Sequence, residues 1–169
     1  MTLCSIAIKI NVSAKDQEAL NHVLKGAGYS STRRKFHCTV GFIETMIPPE
    51  KVASFGQTVV DELQEMVDGL VLIYKVEKAV HLFKHVLAFV PTIQSEESLK
   101  EINRWLLEKV QEISKNRWSL NTQTLPENYE PHLTLWRTHH PDRRFRKLEE
   151  FASTHPSYHL TKAAYVVFG

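Results

Sequence analysis

The chain has 169 residues, 43% of them hydrophobic and 24% charged, which is the size of one ordinary globular domain with enough apolar content for a real core. A formal charge of +2 and an isoelectric point near 8.5 fall short of a dedicated nucleic-acid binder, so a small anionic partner fits better than a long duplex. No stretch approaches the roughly 18 apolar residues of a membrane span, Met1 to Val12 lacks the basic-then-apolar layout of a signal peptide, and Cys4 and Cys38 read as reduced buried thiols; a cytoplasmic setting away from membranes is expected.

In chain order, Ile6, Ile8, Ile10 and Val12 recur at every second residue and predict a strand with one buried face. Ser13, three residues before Asp16, starts a helix striped by Leu20, Val23 and Leu24 and closed by Gly26 and Gly28. From Lys35 to Phe42 a second strand sets Phe36, Cys38, Val40 and Phe42 on one face, and His37 and Thr39 on the other. Pro48 and Pro49 open a second helix, whose Val52, Phe55, Val59, Val60, Leu63 and Val67 keep helical spacing until Gly69.

Leu70 to Tyr74 and Val86 to Val90 are short apolar runs of strand length, expected to pair, joined by a segment carrying Lys75, Lys78, His81, Lys84 and His85. Ser95 is the expected cap of a long amphipathic helix with Leu99, Ile102, Leu106, Val110 and Ile113 as its stripe. The stretch from Asn121 to Glu130 reads as a loop. Pro131 then introduces a strand from His132 to Trp136, on which His132, Thr134 and Trp136 share a face. Asp142 starts a last helix with Phe145, Leu148 and Phe151, and Tyr158 to Phe168 is a final strand.

A weak duplication emerges: a strand bearing His-x-Thr, a short loop and an amphipathic helix, once at Lys35 to Val67 and again at Pro131 to Phe151. The simplest architecture uniting the two histidines is a single two-lobed α+β domain over residues 1–169, each lobe giving one such strand. The chemistry supports this grouping. In-line cleavage of a phosphodiester needs a base for the nucleophile, an acid for the leaving oxygen, and donors for the charged oxygens. Two imidazoles, titrating near neutrality, and two hydroxyls meet that list without a metal or other cofactor. In a strand, His at i and Thr at i+2 project the same way roughly 6–7 Å apart, so each can reach a different atom of one phosphate.

The sequences His37-Cys38-Thr39-Val40 and His132-Leu133-Thr134-Leu135 resemble the paired motifs of the two-histidine phosphoesterase superfamily. That family includes 2'-5' RNA ligase-like proteins, cyclic phosphodiesterases and 2',5'-oligoadenylate phosphodiesterases. Tyr129-Glu130-Pro131 and Trp136-Arg137 extend the likeness around the second motif. The resemblance implies a bilobal α+β fold of two pseudo-symmetric antiparallel sheets flanked by helices, with His37, Thr39, His132 and Thr134 lining a central cleft. It also implies cleavage of RNA-type phosphodiesters: 2',3'-cyclic phosphates, 2',5'-linked oligonucleotides or cyclic oligonucleotides. The expected partner is a nucleotide or short oligonucleotide bound by a monomer; the alternative is a nucleotide- or RNA-binding module with the same cleft and no turnover.

Nine histidines and the 12 threonines of this chain would give about 0.6 His-x-Thr by accident, so setting matters more than count. His159-Leu160-Thr161 is a third occurrence, without a following helix or a partner repeat, and is read as a decoy. Arg33, Arg34 and Lys35 run into the first motif strand and are candidate phosphate contacts. Trp136, Tyr29 and Tyr129 are candidate stacking platforms for a base. Strand period points Arg137 away from the cleft. His81 and His85 are a weak metal-ligand pair, since four residues apart in a hairpin is not diagnostic.

Overall fold

The alternation of the first segment produces a strand with Cys4, Ile6, Ile8, Ile10 and Val12 all buried. The structure, a computed structural model, describes residues 4–29, 35–45, 49–82, 86–138, 140, 143–152 and 157–168. Among these, seven strands and four helices follow in the order β1 (Cys4–Val12), α1 (Ala14–Gly26), β2 (His37–Thr45), α2 (Pro49–Asp68), β3 (Leu72–Leu82), β4 (Val86–Pro91), α3 (Ile93–Ser114), β5 (Ser119–Leu120), β6 (Leu133–Arg137), α4 (Arg144–Ala152) and β7 (Ser157–Phe168). The protein is therefore α+β. A single 3-10 turn at Thr122–Thr124 interrupts the loop before β6.

All strand pairings are antiparallel and join one sheet in the order β1-β7-β3-β4-β6-β2-β5. Because β1 also pairs with β2, the order closes into a ring of six strands with the short β5 outside it. Within the ring β2-β1-β7 and β3-β4-β6 are continuous runs. They meet at β3 with β7 over four residue pairs and at β2 with β6 over the single pair Cys38 and Leu133.

Three features set the register around that single pair. Gln17 of α1 acts as a surrogate strand: its side-chain amide accepts from the Phe36 N–H (2.7 Å) and donates to the Phe36 carbonyl (2.7 Å). On β2 the pairing with β1 slips so that Gly41 faces Ile8 but Thr39 faces Lys9, leaving Val40 as the extra residue of a β-bulge. The Val40 carbonyl is satisfied by Nδ2 of Asn103, a fully buried residue of α3 that also donates to the Thr124 carbonyl, both at 2.8 Å. Gly41 is needed beside it, since a Cβ there would lie 2.6 Å from Leu106 Cδ2 of α3.

Several expectations shift for identifiable reasons. The bulge reverses strand parity, so Phe42 does not continue the apolar face: it is half-buried and stacks on Phe168 at 5.6 Å between ring centroids, while Ile43 turns to the core. The N-cap of α3 is Thr92, whose hydroxyl accepts from the Ser95 N–H (3.3 Å). Ser95 is buried in the first turn and accepts from the Ile73 N–H (2.9 Å), tying the helix to β3. The strand expected to end at Tyr74 continues through the basic segment, so β3 runs to Leu82. Asp142, the expected start of α4, lies outside the described residues. Cys4 and Cys38 are buried and in no disulfide, and no helix among the described residues is long and apolar enough to cross a membrane.

Candidate active site

The one-residue junction of β2 and β6 brings the two His-x-Thr sequences together. Cys38 and Leu133 are the paired residues, both fully buried. Their neighbours on either side therefore project to the opposite face. Continuing the antiparallel register sets His37 across from Thr134 and Thr39 across from His132, all four half-buried. Directly opposed residues in such a pair have Cβ atoms about 5 Å apart, and the two histidines, as diagonal neighbours, about 7–8 Å. That spacing leaves room for one tetrahedral phosphate between the rings.

The rings are oriented alike. His37 Nδ1 lies 3.0 Å from the Lys35 carbonyl and His132 Nδ1 lies 2.9 Å from the Glu130 carbonyl. A carbonyl can only accept, so each Nδ1 carries a hydrogen, and in the neutral ring Nε2 is the basic nitrogen. Burial lowers the pKa of both below the ordinary value. For His37 the Lys35 carbonyl opposes this, while the positive charges of Lys9 and His132 add to the lowering. For His132 the Glu130 carbonyl and carboxylate oppose it, and Arg137 adds to it. One ring thus sits in a more cationic setting than the other.

A buried cluster supports the junction from behind. The Tyr129 hydroxyl donates to the Thr39 carbonyl (2.9 Å) and lies 3.7 Å from Cys38 Sγ. Burial pushes the Cys38 thiol up in pKa, so it stays protonated, and pushes the Tyr74 and Tyr129 hydroxyls well up. Tyr74 flanks the thiol on its other side, with its buried hydroxyl lacking a well-formed hydrogen bond among the described residues. These groups are neutral, and their contribution is to fix the strand carrying His37 and Thr39.

The other expected contacts divide. Lys35 is exposed, and its carbonyl holds the His37 ring. Arg33 and Arg34 lie outside the described residues, as does His85; His81 is on β3 with its side chain outside the description. Trp136 is half-buried, and because Thr134 pairs with Ala88 but Trp136 with Leu87, Leu135 is the extra residue of a bulge and Trp136 does not share the face of Thr134 as its spacing predicts. Its ring packs 5.2 Å from that of Tyr29, which is only 4% exposed and has the Arg144 guanidinium 4.5 Å above it. Tyr29 therefore supports Trp136 from below and offers no open platform of its own. Tyr129, 5% exposed, is likewise a strut and not a stacking surface. The exposed Arg137 sits at the end of β6.

His159 has a structural task. Its backbone N–H donates to Oδ2 of the buried Asp16 (2.7 Å) and its ring Nδ1 approaches the same oxygen (3.3 Å), while its carbonyl accepts from the Ser13 N–H (2.9 Å). It joins β7 to the start of α1.

Two residues missed in the sequence also face the site. Lys9 is paired with Thr39, and Asn11 with His37, so both share the histidine face. Burial holds the Lys9 ammonium below its ordinary pKa, with the charge of Lys35 adding. Only the β1–β2 register reveals them, since in the sequence they are merely the polar positions of an alternating strand. Among the described residues no group of three or more His, Cys, Asp or Glu converges as a metal site. No protein-family model matches the chain, and no curated protein matches it.

Proposed function

We propose that the chain is a phosphodiesterase of the two-histidine kind, cleaving RNA-type phosphodiesters by general acid/base catalysis without a metal. The observation that carries this reading is the single Cys38–Leu133 pair, which turns both His-x-Thr sequences toward one another on one face. A binding module has no need of two proton-transferring rings, each with Nε2 left as its basic nitrogen. The strand order lends itself to the same reading: β2-β1-β7 and β6-β4-β3 correspond as two lobes, with α1 answering α3 and α2 answering α4.

In this scheme a phosphate lies between the rings, with the Thr39 and Thr134 hydroxyls donating to its non-bridging oxygens. Lys9, beside Thr39, adds positive charge to the same oxygens. His37 is the base. Burial, with the charges of Lys9 and His132 adding to it, disfavours the imidazolium, so Nε2 can take the proton of the attacking water or ribose hydroxyl. His132, beside the Glu130 carboxylate, is the acid and gives its Nε2 proton to the departing oxygen as the old P–O bond breaks.

Incubation with EDTA and a panel of 2',3'-cyclic nucleotides, 2',5'-oligoadenylate, cyclic oligonucleotides and 3',5'-linked RNA tests the proposal. Cleavage of at least one member at an undiminished rate in EDTA is expected. Binding without cleavage of any of them would support a nucleotide-binding module, and loss of activity restored by a specific divalent ion would overturn the metal-free scheme.

A further inference from the structure

The corner where α2 leads into β3 and β4 leads into α3 holds apolar side chains that the core does not use. Leu70 is 40%, Val71 69% and Ile93 79% exposed, the last two being the most exposed large apolar residues among those described. The backbone brings them together. The Thr92 N–H donates to the Ile73 carbonyl (3.2 Å) and the Ile73 N–H to the Ser95 hydroxyl (2.9 Å), so the first turn of α3 is fastened to the first residues of β3. Val71, two residues before Ile73, therefore lies at the same corner as Ile93, one residue after Thr92. Leu72 between Val71 and Ile73 is buried, and alternation turns Val71 away from the core. Single exposed apolar residues are ordinary on a protein surface, but three gathered at one corner form a patch suited to a partner.

The charge around the corner selects that partner. The chain as a whole is +2, yet α2 carries five carboxylates against one lysine, and α3 five carboxylates against three cations. Two of those three cations are engaged within the helix pair, Lys100 with Glu96 (3.0 Å) and Lys109 with Glu62 (2.8 Å). The exposed Glu65 and Asp68 close α2 just before Leu70, and the exposed Glu97 lies one turn after Ile93. Such a border repels the anionic surface of a membrane. It also opposes a second copy docked by two-fold symmetry, which would set carboxylate against carboxylate. Nor is there an edge for an added strand, since β3 is paired on both sides, Leu72 with Leu160 of β7 and Tyr74 with Pro91 of β4. A helix with an apolar stripe bordered by lysine or arginine meets every one of these conditions.

Independently of the phosphodiesterase reading, we propose that this corner docks a basic amphipathic helix of another protein. Val71 and Ile93, with Leu70 beside them, receive its apolar stripe, and Asp68 and Glu97 face its cations.

The test titrates the full chain into two labelled peptides of about 14 residues, long enough to hold a helix once docked. One is built of leucine and lysine in amphipathic order, the other of leucine and glutamate in the same order. Fluorescence anisotropy should show the lysine peptide bound at least about tenfold more tightly, with the difference shrinking in raised salt. Val71→Ser with Ile93→Ser should weaken the lysine peptide by about tenfold, the loss expected for two central apolar anchors. Asp68→Lys with Glu97→Lys should reverse the preference between the peptides. All four positions are exposed, so these variants keep the fold, which circular dichroism checks. Equal binding of the two peptides, or lysine-peptide binding that survives Val71→Ser with Ile93→Ser, would overturn the proposal. So would binding of anionic vesicles in place of the peptide, or a dimer in sedimentation that the serine substitutions dissociate, since either assigns the corner to another occupant.

Discussion

Tyr129→Phe separates a strut from a stacking platform, because it deletes one oxygen and keeps the ring. The ring is 5% exposed, so its packing is retained, and what disappears is the 2.9 Å hydrogen bond to the Thr39 carbonyl and the 3.7 Å contact with Cys38 Sγ. A hydrogen bond of this kind is worth about 0.5–1.5 kcal/mol net, and an acceptor left short in the interior costs more, about 1–3 kcal/mol. The carbonyl belongs to a half-buried strand residue, which places the expected loss at about 1–2 kcal/mol. For a chain of this size each kcal/mol moves the melting temperature by about 2–4 °C, so a fall of roughly 2–8 °C is expected. Urea denaturation should show a lower midpoint at unchanged slope. Turnover should fall modestly, since Thr39 is held less firmly, with KM little altered. A stacking role predicts no loss of stability or turnover, because phenylalanine stacks as well as tyrosine. A Tyr129→Phe protein with wild-type midpoint would refute the strut.

Substituting His37→Ala or His132→Ala should each lower kcat by roughly 10² to 10⁴, and the double variant should lose far less than the product, since the two act as one unit; single-turnover rates decide this. The pH–rate bell should centre on the acid side of the ordinary imidazole value of 6.5, both rings being lowered chiefly by burial. Lys9→Gln removes a positive neighbour of His37, so its acid limb should move to higher pH; an unmoved limb would take Lys9 out of the site. Stability follows the same sign. Because the folded-state pKa of both histidines lies below the unfolded one, the unfolded chain binds more protons as pH drops below about 6.5. Stability is then full above that pH and is lost as pH falls through the folded values, a loss that a His37→Gln, His132→Gln double variant should flatten in urea midpoints taken against pH. His159→Ala should keep turnover within about twofold while losing up to about 1 kcal/mol of stability, because the backbone bond to Asp16 remains; loss of activity in a folded His159→Ala protein would overturn the choice of motifs.

Period and capping made most elements legible. Period 2 in β1 and helical period in α1, α2 and α3 reflect which side chains are apolar, and burial follows from that. What escaped depended on partners distant in sequence. The bulge at Val40 has no local signature, for its cause is the pairing with β1 and the Asn103 amide waiting in α3. Thr92 and Ser95 are both competent caps, and Ser95 loses the role because the Ile73 N–H claims its hydroxyl. Tyr129 and Tyr29 read as aromatic platforms since sequence shows a ring but not which side of the strand it supports. The facing of His37 with Thr39 and of His132 with Thr134 was legible because the same spacing occurs twice in the same local setting. Lys9 and Asn11 were not, because cross-strand neighbours are invisible without the register.

The three His-x-Thr sequences of this chain differ less in their own residues than in what their strands meet. His159 faces Asp16, and its neighbours on β7 pair with β1 and β3, so no second imidazole lies across from it. His37 lies on β2 and His132 immediately before β6, strands that touch at one pair only, and that economy has a consequence. A slip of either strand by one residue at the Cys38–Leu133 contact would turn that strand's histidine into the core and bring its Cys38 or Leu133 to the opposite face, because side chains alternate at every residue. One bridge cannot resist such a slip alone. The resistance comes from outside the pair: Gln17 fixes Phe36 immediately before His37, Tyr129 holds the Thr39 carbonyl, and Asn103 holds Val40 just beyond. Each bonds backbone, so each constrains register and not merely proximity. The positioning of the two histidines is thus distributed over α1, α3 and the loop before β6, far from both histidines in sequence and adjacent to them in the fold.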